Sequence, residues 1–276
     1  MVNVIVRQAL RRGPTRWFHV TLWDTGQDRF ESGQWFRGRI YPEKCDVSPD
    51  GKLFIYFAGR FRARDVDKGY DRTWIAVSRP PYLTALMLWP VGDTWGGNGV
   101  FLDDRSVRIG TYGKHHPDHP PGPLQVVEYH SLKAGDPQLN AVPGWRSGWE
   151  GTLVPKPRNR NFPEYSTWRK ASGRLILERD ASRPNTWGEL SYEEYFSHPL
   201  RRGSLYALHR AEGELIAKFQ AHWVDFDQQG RLVATVGGRV FAGEVTKSGG
   251  LRWRQLAAMH EEQPTQMEAP KWAQAW

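Results

Sequence analysis

The stretch Cys45–Arg60, CDVSPDGKLFIYFAGR, reads as a strand, a tight turn and a second, almost wholly apolar strand. Ser48-Pro49-Asp50-Gly51 carries the turn chemistry: Pro presets φ, Ser and Asp side chains cap turn amides, and Gly accepts the positive φ that closes the turn. The run FIYFA then supplies the aromatic and β-branched side chains that suit a pleated, buried surface. Whether this hairpin stands alone or is one of several decides the architecture.

It recurs. DVSPDGKLFIYFAGR (46–60) aligns without a gap on DFDQQGRLVATVGGR (225–239), pairing Asp46 with Asp225, Gly51 with Gly230, Lys52 with Arg231 and Leu53 with Leu232, each 179 residues apart. Less complete copies are WRKASGRLILERD (168–180), turning at Gly173-Arg174, and GVFLDDRSVRIGTYG (99–113), turning at Asp104-Arg105. A fifth is FHVTLWDTGQDRFESGQWF (18–36). The markers Gly51, Asp104, Gly173 and Gly230 are 53, 69 and 57 residues apart. Self-similarity at such a period is the mark of a propeller or solenoid, and the two-residue apolar alternation makes the unit a sheet. The expectation is an all-β fold: a single β-propeller over 1–260, five-bladed with six as the alternative, long loops on one face, and the chain ends meeting in one blade. Residues 261–276 read as a C-terminal tail that docks through Trp272 and Trp276.

SPDGKLFIYFA (48–58) resembles the turn motif of the WD40-like repeats found in TolB-type β-propellers, fully over 46–58 and partly over 225–236. The resemblance implies a ring scaffold that binds partners, without implying a shared reaction. The chain departs from the true WD40 pattern, because Leu22-Trp23-Asp24 has no paired Gly-His upstream.

Composition agrees. The 28 Gly and 19 Pro are spread along 276 residues, as many short elements joined by turns require. Fourteen Trp, ten Tyr and twelve Phe fill the space between sheets and exclude a disordered chain. The single cysteine, Cys45, excludes an intrachain disulfide and reads as a small buried apolar group. The opening MVNVIVRQALRRGPTRW lacks the basic-then-apolar order of a secretory signal, and no apolar run approaches the ~20 residues that span a bilayer. A soluble, cytoplasmic protein is expected. The net charge of +8 is uneven: residues 1–16 carry +4 and residues 154–174 carry +5, leaving the rest at −1. Two basic segments on a neutral body attract a polyanion or an acidic protein face.

Chemistry-bearing residues are few. His115, His116 and His119, with Asp118 among them and Pro117, Pro120 and Pro121 stiffening the loop, are candidate ligands for a divalent metal. No second cluster completes their shell, so no cofactor is expected and a metal is the alternative. GDTWGGNGVFLDD (92–104) offers Asp93 and Trp95 beside glycines that let a ligand approach the backbone. The basic loop and its flank offer Lys156, Arg158, Arg160, Arg169 and Lys170. The long insertion 179–204 offers Trp187, with one or two helical turns over 187–196 behind Asn185. Nucleophile-elbow, phosphate-loop, dinucleotide and His-Glu-x-x-His motifs are missing. The expected function is therefore a non-catalytic binding or scaffold module, monomeric or in a hetero-complex, that presents an aromatic and basic face to a protein partner. The alternatives are a metal-assisted hydrolase or sugar-active enzyme at the propeller centre, and nucleic-acid binding through the basic loops.

Overall fold

Apart from one tyrosine hydroxyl, Phe54–Gly59 has no polar side chain to offer water, and it forms a strand buried along its whole length. Around it a computed structural model describes residues 2–8, 16–61, 71–94, 97–111, 114–119, 122–131, 147–153, 165–180 and 204–276. The first sheet is β1 (Val2–Gln8), β2 (Trp17–Asp24) and β3 (Arg29–Arg37), in that order. The second holds β4 (Arg39–Ile40), β5 (Asp46–Val47), β6 (Phe54–Gly59), β7 (Thr73–Ser78) and β8 (Met87–Pro90), ordered β4-β6-β7-β8 with β5 also on β6. The third has β10 (Ser106–Ile109) between β9 (Gly99–Phe101) and β11 (Gln125–Glu128). In the fourth, β12 (Glu150–Leu153), β13 (Tyr165–Ser172), β14 (Leu175–Asp180), β15 (Ser204–Arg210) and β16 (Leu215–Ala221) follow chain order. The fifth does the same with β17 (Trp223–Phe226), β18 (Leu232–Val236), β19 (Arg239–Val245) and β20 (Leu251–Ala258).

Pairing is antiparallel except between β10 and β11, which run parallel. Among the described residues there is no α-helix, only single 3₁₀ turns such as Pro42–Lys44, Tyr129–Ser131 and Lys271–Ala273. No helix there is long and apolar enough to cross a membrane. The fold is all-β, and among the described residues none of the sheets closes on itself.

Each of the five hairpins expected from the sequence lies in a different sheet: β2/β3, β5/β6, β9/β10, β13/β14 and β17/β18. Gly51, Gly173 and Gly230 hold φ at +75°, +57° and +75°, the region where a Cβ is strained. Gly51 N–H donates to Ser48 O at 2.8 Å, and Gly230 N–H to Asp227 O at 2.9 Å, so the two best-matched copies close in the same way. Their caps differ. Ser48 Oγ accepts Leu53 N–H and Asp50 Oδ1 accepts Lys52 N–H, whereas in the later copy Asp227 Oδ1 alone takes both Gln229 and Arg231 N–H.

The chain divides into two compact units, Met1–Ser147 with Glu262–Trp276, and Gly148–Glu261. In the first unit the second sheet is the middle layer. Its strands alternate strictly: Ile55, Phe57, Ile75, Val77, Met87 and Trp89 join Phe101, Val107 and Ile109 of the third sheet in one cluster. Phe54, Tyr56, Ala58, Ala76 and Leu88 join Phe18, Val20 and Phe36 of the first sheet in another. Both faces are covered, which is why FIYFA reads as a continuous apolar run. Two carboxylates tie the second sheet to the third: Asp46 Oδ2 accepts Phe101 N–H at 2.9 Å, and Asp104 Oδ1 accepts Asp50 N–H at 2.7 Å. Cys45 is buried as expected, its Sγ donating to Tyr41 O at 3.1 Å. In the second unit Leu177, Tyr206 and Leu208 of the fourth sheet meet Val224, Phe226, Leu232 and Ala234 of the fifth.

One expectation is corrected. The chain ends do not share a sheet: β1 pairs with β2 from Val2↔Asp24 to Gln8↔Phe18, while the last strand, β20, pairs with β19. The first sheet finds its third strand locally, so it has no need of a distant one. The segment read as a tail belongs to the first unit from Glu262 onward, held by Gln34 Nε2 donating to Met267 O at 2.9 Å and by Trp272 edge-on to Tyr82 at 5.6 Å. The helical turns expected over 187–196 lie outside the described residues.

Candidate functional site

Strand register gathers arginines that the sequence scatters. Trp17 pairs with Arg37, and Gly38 N–H donates to Arg16 O at 3.1 Å. Arg39 pairs with Gly59, the residue before Arg60, and Arg60 N–H donates to Arg72 O at 2.9 Å. Arg16, Arg37, Arg39, Arg60 and Arg72 thus sit at one end of the first two sheets. Aromatic side chains underlie three of them: Arg39 lies 4.5 Å over Tyr41, Arg60 5.0 Å over Phe36 and Arg37 5.9 Å over Trp17. Such contacts contribute about 0.5–1 kcal/mol each at exposed sites, and they fix where the charge points. Arg37, Arg60, Phe61 and Arg72 are exposed, Phe61 at 55%. Among the described residues no carboxylate pairs with Arg37, Arg39, Arg60 or Arg72.

Asp93 belongs to this end as well. Val91 and Gly92 N–H both donate to Thr73 O, next to Arg72, and Thr73 Oγ1 donates to Asp93 O. Lys44 Nζ donates to Thr94 O at 2.8 Å and lies 4.8 Å over Phe57. Burial lowers the Lys44 pKa, with the Glu43 and Asp93 carboxylates acting against it. Burial likewise raises that of Tyr41, opposed by Arg39. Five arginines and Lys44 therefore face three carboxylates, Glu43, Asp71 and Asp93, and the end is positive.

The other residues expected to form a site fall elsewhere. Trp95, Lys156, Arg158, Arg160 and Trp187 lie outside the described residues. Arg169 and Lys170, on β13, already have partners: Arg169 donates to Glu178 Oε2 at 2.7 Å, and Lys170 Nζ pairs with Asp225 Oδ1 at 2.8 Å. His115 is exposed, whereas His116 is 4% exposed, its N–H donating to Leu88 O and its Nδ1 accepting Asp118 N–H at 3.2 Å. His119 Nδ1 is 3.0 Å from Ala85 O, which can only accept, so that nitrogen carries a proton. Burial lowers the His119 pKa, with the Ala85 hydrogen bond opposing. The histidines line the outer edge of β8 near its start and Asp93 follows its end, so the two are not brought together. Among the described residues no group of three His, Cys, Asp or Glu is placed to hold a metal.

Sequence reading overlooked the arginine end because its successive charges lie 2–21 positions apart and all but Arg16 count as part of a neutral body. A signal was present. Arg16-Trp17, Phe36-Arg37, Arg39–Tyr41, Arg60-Phe61 and Arg72–Trp74 each set an arginine beside an aromatic residue at a strand end.

Fold and site define an all-β chain of five sheets carrying an arginine–aromatic face. No family model matches it, and no curated protein does. Among solved structures it is similar to a Bacteroides fragilis protein provisionally named a 6-phosphogluconolactonase, at 8% identity and a TM-score of 0.34, over 91% of this chain and 93% of that one. A likeness of that strength shows neither a common architecture nor a common reaction.

Proposed function

We propose that the five sheets are the blades of a five-bladed propeller and that its arginine–aromatic end binds an acidic segment of a protein partner. Support for the propeller is the succession of five sheets along the chain, one repeated hairpin in each, with the second sheet covered on both faces by its neighbours. A crystal structure with the first and fifth sheets packed side by side supports this reading; an open arrangement overturns it.

The observation that carries the binding role is the convergence of five arginines from five separate sequence positions onto one end, three of them resting on aromatic rings. Arginine and large aromatics are the residues that dominate binding energy at protein interfaces. Planar guanidinium groups suit paired hydrogen bonds to carboxylates. Binding of a fluorescein-labelled Asp/Glu-rich dodecapeptide, followed by anisotropy, should weaken about tenfold, or ~1.4 kcal/mol, in Arg39→Glu/Arg60→Glu. It should also weaken with salt. Unchanged binding in the variant, or none in the wild type, overturns the proposal. Phe61 favours one other occupant, because an exposed ring beside arginines also suits stacked bases. Labelled oligo-dT measured alongside decides: tighter binding than the peptide, lost in Phe61→Ala, assigns the face to single-stranded nucleic acid instead.

A further inference from the structure

His19 is fully buried on β2, its ring stacked 4.3 Å from Trp35 at an interplanar angle of 12°. Both of its nitrogens meet groups that take a hydrogen bond. Nε2 is 3.2 Å from Gly33 O and 3.0 Å from Ser32 Oγ, and Nδ1 is 3.1 Å from Glu262 Oε2. A carbonyl and a carboxylate can only accept, so each nitrogen carries a proton and the ring is an imidazolium. The indole of Trp35 stacked on it suits that charge. The charged residues on the elements around it are Arg7, opposite His19 in the β1–β2 register, Glu31 on β3, which is bonded to Tyr82, and Glu262. Glu262 begins the segment Glu262–Trp276, which belongs to the first unit. Further along, Gln34 Nε2 donates to Met267 O at 2.9 Å, Trp272 stands edge-on to Tyr82, and Arg79 Nε donates to Ala275 O at 3.3 Å. Those contacts do not change with a proton near neutral pH: an amide has none to lose, an arginine keeps its charge, and burial raises the Tyr82 pKa. The ion pair does change.

We infer that the His19–Glu262 pair is a proton-operated clasp, which fastens the segment Glu262–Trp276 to the first sheet and lets it lift as pH rises. A neutral His19 has one proton for two acceptors. Gly33 O and Ser32 sit on β3, paired to β2, and stay in place. The proton therefore remains on Nε2, and the Nδ1 lone pair is turned on the Glu262 carboxylate. That side chain is 39% exposed and can swing into water. Thr21 Oγ1, 3.4 Å from Nδ1, is placed to donate in its stead. Thr21 is buried beside the ring on the same strand, so the neutral imidazole keeps a partner at each nitrogen once the carboxylate has gone. The fastened form holds one proton that the lifted form gives up. Lifting is accordingly favoured on the alkaline side, by at most about tenfold per pH unit for a single proton. It uncovers Gln34 and Tyr82, which the segment engages at Met267 and Trp272.

The test is amide hydrogen exchange of the full chain across pH 6–10, together with long-range proton–nitrogen NMR spectra of the histidine-labelled protein. The spectra should show both ring nitrogens of His19 protonated at pH 6 and one proton lost at higher pH. The Ala273 amide, buried and donating to Pro270 O at 2.8 Å, reports the lifted fraction. Divided by its intrinsic rate, its exchange should rise by up to about tenfold per pH unit over the range in which His19 titrates. In Glu262→Gln, where a carboxamide replaces the charge, the corrected exchange should be about tenfold faster than in the wild type at pH 6 and nearly independent of pH. A single proton on the ring at pH 6, or corrected exchange that does not respond to pH, overturns the inference, and neither readout needs a variant to fold. A pH response that persists unchanged in Glu262→Gln overturns it as well.

Discussion

Replacing Lys170 by Met is expected to cost the second unit about 3–5 kcal/mol, the usual penalty for removing one partner of a buried ion pair. Lys170 Nζ lies 2.8 Å from Asp225 Oδ1, with side-chain exposures of 17% and 5%. Trp149 Nε1 donates to the other carboxylate oxygen at 3.4 Å, too long to replace the ammonium. Burial raises the Asp225 pKa, and the Lys170 hydrogen bond and charge oppose that shift. Removing the lysine takes away the largest opposing influence and leaves only the Phe226 and Trp149 hydrogen bonds against burial, so the folded-state pKa climbs further above the unfolded one. A group so raised favours folding below its unfolded pKa and loses that contribution as pH rises through the folded pKa. The defect in Lys170→Met should therefore be large at neutral pH and shrink on acidification. Lys170→Met/Asp225→Leu should recover to within about 1 kcal/mol of the wild type, because an apolar pair can replace a buried ionic one. Urea denaturation across pH 4–8, followed by tryptophan fluorescence, gives all three values. A single-variant loss below about 1 kcal/mol at pH 7 would show the pair to be well hydrated.

The second large effect lies where the second and third sheets meet. Ile55 is fully buried, and Ile55→Ala should cost about 2–5 kcal/mol. Gly99 faces it so closely that an added Cβ would lie 2.2 Å from Ile55 Cδ1 and 2.5 Å from Cγ1, so Gly99→Ala should cost about 1–3 kcal/mol by overpacking. In Ile55→Ala both of those atoms are absent. Gly99→Ala made in that background should be neutral or stabilising, giving a coupling of at least about 1 kcal/mol between the sites. Costs that add within about 0.5 kcal/mol would mean the two sheets do not share this contact.

The fold was legible where local chemistry and tertiary demand coincide. Gly51, Gly173 and Gly230 were readable because the left-handed backbone that each turn needs is nearly reserved for glycine. FIYFA was readable because a strand covered on both faces leaves no polar alternation to confuse it. That the two chain ends lie in different sheets was not readable, since hydrogen bonding between backbones carries no residue code and β1 simply takes its nearest partner. Lys170 illustrates the limit for sites. Its window is basic, but the carboxylate that engages it comes from another sheet 55 residues later, and a charge count along the chain cannot see it. Asp93 was singled out in the sequence because of the glycines near it, while Arg39, Arg60 and Arg72 gain meaning only through the pairing of β4, β6 and β7.

The first unit is discontinuous, built from Met1–Ser147 and again from Glu262–Trp276. On the ribosome the contiguous Gly148–Glu261 unit emerges complete before the last piece of its elder neighbour has been made. At about 5–20 residues per second, the earlier strands wait several seconds for Glu262 to reach His19 and for Met267 to reach Gln34. During that interval the first sheet is exposed to chaperones and proteases in a form the finished protein never shows. Codons that slow translation between 148 and 261 should therefore reduce yield more than the same codons placed near the start.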